Sequence, residues 1–167
     1  MTSRQQLSDD DLRLWRRLVE AERAYIAARM ELFAGCSSLV GVVRAGLDDT
    51  TGRTAALGVA ALLKTEERQQ LFGDLLDLAA SSHAYMGTAR ALVLSLPRDW
   101  VLARIESAAE PLLRGGTYNE YRGLLGLYTE LDRGLAERLA RRAAAHADED
   151  IREAGEDFSE KLKGASE

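Results

Sequence analysis

Signals for the start of a helix return along this chain at a nearly constant interval, and no other feature restricts its fold as much. Thr65-Glu66-Glu67, Leu96-Pro97-Arg98-Asp99-Trp100 and Leu131-Asp132-Arg133 each place a cap, a proline or first-turn carboxylates ahead of an apolar row. Their spacings are 32 and 35 residues, and a second series at Ser82, Thr117 and Asp148 runs between them at 35 and 31. Two interleaved series of this kind describe repeated helix pairs, each burying its apolar face against the next. Three such pairs are expected over residues 65–163.

In these pairs the expected first helices start at Thr65, Pro97 and Asp132. They carry Leu71, Phe72, Leu75, Leu76 and Ala79, then Val101, Ile105, Ala108 and Leu112, then Leu135, Ala136, Leu139, Ala140 and Ala143. Pro111 is expected to kink the middle one near its end. The second helices carry Tyr85, Met86, Ala89, Leu92 and Val93, then Tyr118, Tyr121, Leu124, Leu125 and Tyr128, then Ile151, Ala154, Phe158 and Leu162. Thr117 with Glu120 three residues on is a capping box. Ahead of the repeat, Ser37-Ser38 and the turn over 46–52 make residues 37–64 a degenerate pair. Ser8 and the carboxylates Asp9, Asp10 and Asp11 open a long amphipathic helix over 8–34, which is expected to dock its Leu12, Trp15, Val19, Ile26, Met30 and Phe33. Residues 164–167 have nothing to bury and read as a mobile tail. The whole, 1–167, reads as one all-α domain.

Composition agrees with helix: two prolines, three phenylalanines, 46% apolar and 29% charged residues. A net charge of −5 and a pI near 5.2 argue against nucleic acid and anionic membranes as partners. A single cysteine, Cys36, excludes an internal disulfide and a cysteine-based zinc site. No apolar run is long enough to span a bilayer, and Asp9, Asp10 and Asp11 interrupt the N-terminus where a signal peptide would be apolar. The expectation is a soluble, cytoplasmic protein.

The stretch His146-Ala147-Asp148-Glu149-Asp150-Ile151-Arg152-Glu153-Ala154 resembles the inter-helix turn of HEAT-type repeats, with a capping aspartate, a branched apolar residue packing inward and an arginine after it. Leu96-Pro97-Arg98-Asp99-Trp100 aligns with a boundary between pairs. His83-Ala84-Tyr85 and Tyr118-Asn119-Glu120, which open the other second helices, depart from the pattern. The resemblance implies antiparallel helical hairpins stacked as a short α-solenoid that presents a surface to protein partners. A compact helical bundle is the alternative architecture.

No motif specifies catalysis, a cofactor or a metal. Glu149, Glu153, Glu156, Asp157 and Glu160 share one side of the last helix and read as a solvated face. His83 and His146 sit at helix boundaries without a specified acid partner. An enzyme or small-molecule binder with an interhelical pocket would have to use His83 or an acidic cluster. Arg114-Gly115-Gly116-Thr117 lacks the Gly-Lys-Ser/Thr ending of a phosphate loop. The candidates for partner contact are Trp100 and Tyr118, as aromatic anchors, and the basic ridge of Arg138, Arg141 and Arg142. On nucleic acid the same ridge would act through phosphates, a reading the acidic balance weakens. The expected function is a non-enzymatic protein-interaction module or adaptor.

Overall fold

The computed structural model describes residues 8–81 and 84–164, and among these the chain is all-α, with eleven helices and no strand. Two compact units are distinguishable, residues 1–41 and 42–167.

In the first unit, α1 (Asp9–Gly35) opens on a capping box. The Asp11 N–H donates to Ser8 Oγ at 3.1 Å, and the Ser8 N–H donates back to Asp11 Oδ2 at 3.2 Å. The bonds from Ser8 hold the Asp11 carboxyl below its ordinary value. The helix ends where Cys36 turns extended, its N–H still donating to the Leu32 carbonyl. No residue of α1 is buried. The apolar row expected to dock is therefore open or half-buried along its length. Ser38 Oγ accepts from the Gly41 N–H and opens α2 (Leu39–Asp48).

The second unit continues through α3 (Arg53–Ala60), α4 (Thr65–Gln69), α5 (Phe72–Ser81), α6 (Met86–Leu94), α7 (Arg98–Leu102), α8 (Ile105–Arg114), α9 (Tyr118–Leu131), α10 (Arg133–Ala144) and α11 (Glu149–Gly164). The first helices of two expected pairs are each broken in two. Around Gln70 and Leu71, and again around Ala103 and Arg104, the backbone tightens: Leu71 N–H donates to Arg68 O, and Arg104 N–H to Val101 O, three residues back. The break precedes α8 and is not at Pro111, which α8 accommodates. It also turns the buried face: Ile105, Ala109 and Leu113 are covered, and the expected Ala108 and Leu112 only half so. Thr65 is a helical residue, with Lys64 as the cap, because the Glu67 carboxylate accepts from the Lys64 N–H at 3.0 Å.

The two broken helices are offset from one another by a single interval. α4 and α7 start at residues 65 and 98, α5 and α8 at 72 and 105, an interval of 33 in both cases. The buried Phe72, Leu76 and Ala80 of α5 recur as Ile105, Ala109 and Leu113 of α8 at that interval. Two turns are also alike. Asp49 accepts from the N–H groups of Thr51 and Gly52, and Asp148 from those of Asp150 and Ile151. In the first turn Arg53 donates to the Leu47 carbonyl at 2.7 Å, and in the second Arg152 donates to the His146 carbonyl at 3.2 Å. Aspartate and arginine stand four apart in both turns, and the turns are 99 residues, three intervals of 33, apart.

At the centre of this unit lies α9, packed against α5, α6, α8, α10 and α11. Tyr121, Leu124, Leu125, Leu127 and Tyr128 are almost wholly buried there, and the two phenols donate to the carbonyls of Leu113 and Ile105. The crossing of α9 over α5 requires glycine. A Cβ on Gly123 would stand 2.1 Å from the Ala80 carbonyl oxygen, which is backbone and cannot swing aside. Gly155 meets α10 in the same way, 2.4 Å from the Ala144 nitrogen.

Candidate partner-binding surface

Two sides of the second unit present side chains from successive helices. On the first, α8 faces α10 through carboxylates and arginines each one helical turn apart. Arg138 grips Glu106 with two bonds of 3.0 Å, and Arg142 grips Glu110 with bonds of 2.6 and 3.2 Å. The Arg142 bond holds the Glu110 carboxyl below its ordinary value, against some desolvation, with the charges of Arg142 and Arg114 adding to it. Beneath them a cleft of about 200 Å³ ends on Tyr128, whose phenol burial pushes upward in pKa. Arg138 and Arg142 are thus paired within the chain, whereas Arg141, between them, is exposed and lines a separate groove with Ser159 and Leu162.

On the other side, α6, α9 and α11 enclose a groove of about 260 Å³. Met86 and Arg90 come from α6, Asn119, Arg122 and the glycines 123 and 126 from α9, and Phe158 from α11. Arg90 lies along the α9 backbone, donating to the Gly123 carbonyl at 2.6 Å with Glu130 at 4.0 Å. Gly126 leaves room for it, since a Cβ there would meet the guanidinium at 2.9 Å. The Arg90 Nε is buried with no acceptor. Arg122 donates to the Tyr118 hydroxyl and covers that ring at 5.6 Å, and Lys161 stands 5.1 Å from the Phe158 ring. The groove therefore combines cations with apolar surface. At its α9 end the Thr117–Glu120 box closes with a 2.8 Å bond from the Thr117 N–H. Burial raises the Glu120 pKa, but the bonds from Thr117 outweigh it and leave the carboxyl lowered.

The remaining sequence candidates fall elsewhere. Trp100 is half-buried, edge-on to Phe72 at 5.2 Å with Arg104 stacked 4.5 Å over its face, so it serves the α5–α7 packing. Tyr118 reaches the groove only through Arg122. His146 packs on Tyr121 at 5.3 Å and accepts from the Asp148 N–H at 3.1 Å, which fixes the α10–α11 turn. His83 and Ser82 lie outside the described residues. The α11 carboxylates 149, 153, 156, 157 and 160 are exposed, and among the described residues no three potential ligands converge to hold a metal. Sequence reasoning missed Arg90, Arg122 and Gly126, which take their meaning only from the α6–α9 approach. No described helix is long and apolar enough to cross a membrane. No family model, curated protein or solved structure matches the chain.

Proposed function

We propose that residues 65–163 form a short HEAT-like α-solenoid that works as a non-enzymatic protein-interaction module or adaptor in the cytoplasm. The observation that carries this reading is the offset of 33 residues between the two broken helices, in helix starts and buried positions, with two alike turns 99 residues apart. Cross-helix bonds at comparable separations support it: Arg44 to Asp74, Arg90 to Gly123 and Arg138 to Glu106 each join one pair to the next. Arrays of this kind bind through surfaces assembled from successive pairs. The α6–α9–α11 groove is such a surface, and its cations with Met86 and Phe158 suit a partner segment that alternates apolar and acidic side chains.

Tagged full-length protein is used to capture partners from lysate of its source, beside Arg122→Glu, Phe158→Asp and, as a control on the other groove, Arg141→Glu. A stoichiometric protein is expected with the parent and the control and not with the two groove variants, all four melting alike. Equal retention by all four would move the contact elsewhere. No specific protein in any capture would remove the adaptor reading.

A further inference from the structure

Within α1, apolar residues fall at alternating steps of four and three: Leu14, Leu18, Ala21, Tyr25, Ala28 and Leu32. That is the seam of a two-helix coil. It is open at Leu14, Leu18 and Tyr25, exposed by 54, 60 and 42%, and at the two alanines, and half-buried at Leu32. The other apolar row is half-buried at Leu12, Val19 and Phe33 and exposed at Trp15, Ile26 and Met30, but its steps of three, four, seven, four and three do not keep the heptad alternation. Helices of this kind owe most of their stability to packing of the apolar face, so a seam of open leucines calls for a second helix.

We propose that this seam takes α1 of a second copy of the chain, running antiparallel. Side-chain size selects the direction. Parallel strands would set every layer against itself, Tyr25 on Tyr25 and alanine on alanine, crowding one layer and hollowing two. Antiparallel strands set Leu14 against Leu32, Leu18 against Ala28 and Tyr25 against Ala21, so that each inner layer joins a large residue to a small one. Charge agrees. Arg17 then flanks Glu31 of the second copy, twice by symmetry, and Trp15 flanks Arg29, a guanidinium that already stands over the Tyr25 ring of its own helix at 5.4 Å. One contact opposes pairing: Glu22 meets its own copy at the twofold axis. The seam has only six layers, over residues 14–32, so the dimer is expected to dissociate on dilution.

Sedimentation of the full chain over a concentration series tests this. Monomer at low and dimer at high concentration is expected, with Leu18→Asp abolishing the dimer and Glu31→Arg weakening it about tenfold at low salt. Adding Arg17→Glu to Glu31→Arg restores it. Glu22→Gln separates the directions: it relieves the repulsion at the antiparallel twofold and tightens the dimer, whereas a parallel pair would lose an Arg17 contact and weaken. A monomer at every concentration, a dimer indifferent to Leu18→Asp, or one weakened by Glu22→Gln overturns the proposal. So does a monomer whose Leu18-dependent binding is to phosphatidylglycerol vesicles, which would make a lipid surface the occupant.

Discussion

Gly123→Ala tests the packing at its tightest point. Alanine is the better helix former, and in an open helix the exchange would stabilise by about 0.5–1 kcal/mol. Here the new methyl would lie 2.1 Å from the Ala80 carbonyl oxygen, and ordinary contact begins at 3.4 Å. The α5 and α9 backbones must part by about 1.3 Å, the difference of those two distances. A gap of that order forfeits a quarter to a half or more of the dispersion energy across the seam. Leu75, Leu76, Leu124 and Leu127, all fully buried, are the residues placed to lose it. Such overpacking costs about 3 kcal/mol at the upper end of its usual range, so the net loss should be about 2 kcal/mol. Urea unfolding should show a lower midpoint with an unchanged slope, and heating a melting point lower by about 4–8 °C. Gly73→Ala is the control, since nothing lies within 4 Å of its Cβ position. If Gly123→Ala is as stable as the parent while Gly73→Ala behaves normally, the α5–α9 crossing described above is wrong.

Three further outcomes are expected. Arg53→Ala and Arg152→Ala should each cost about 1 kcal/mol in denaturant melts, as loss of a guanidinium bond to a turn carbonyl, and the double variant should cost their sum because the turns share no partner. Ile151→Ala, at a position 1% exposed, should cost about 2–5 kcal/mol, and Asp148→Ala, which removes the α11 cap, about 1; equal small losses in both melts would contradict the last pair. Thermal melts across pH should separate two carboxylates. Desolvation, together with Glu120, Asp74 and Asp48, raises the Asp77 pKa despite Arg53, so the folded state holds that proton more tightly and loses stability as pH rises above the ordinary carboxylate value. Asp77→Asn should therefore raise the melting point at neutral pH and have no effect near pH 3. Glu110, lowered by Arg142, works the other way: its contribution is present above its ordinary value and fades as pH falls through the lowered one, so Glu110→Gln should destabilise only at higher pH.

Three of the caps were legible in the sequence because they are local. Thr117, Asp132 and Asp148 are read from their own next three residues, and each accepts the expected backbone N–H. The helix breaks at Gln70 and Ala103 were not legible, since neither segment carries a proline or glycine at the break and the tightening is a property of how Leu71 and Arg104 settle into the unit. The shift of the buried row from Ala108 and Leu112 to Ala109 and Leu113 follows from the same break. Arg138 and Arg142 looked like a free ridge because their partners, Glu106 and Glu110, stand 32 residues upstream. Pattern reading within one helix has no access to such distances. The groove residue Arg90 was hidden for the same reason, its bond to Gly123 spanning 33 residues.

The arginines of the second unit use two kinds of acceptor, some of them both. Arg53 and Arg152 donate to main-chain carbonyls, Arg138 and Arg142 to carboxylates, and Arg44 and Arg98 to both, while Arg90 donates to the Gly123 carbonyl with Glu130 at 4.0 Å. A carbonyl oxygen does not titrate in the range where a carboxylate does, and guanidinium stays charged throughout. Acid therefore reaches the Glu110 clasp and leaves the bond from Arg90 to the α9 backbone in place. As pH falls the Arg142–Glu110 tie weakens, but α8 stays joined to α9 through the Tyr121 and Tyr128 phenols, so acid undoes a fastening on the surface and leaves the buried body of the unit closed.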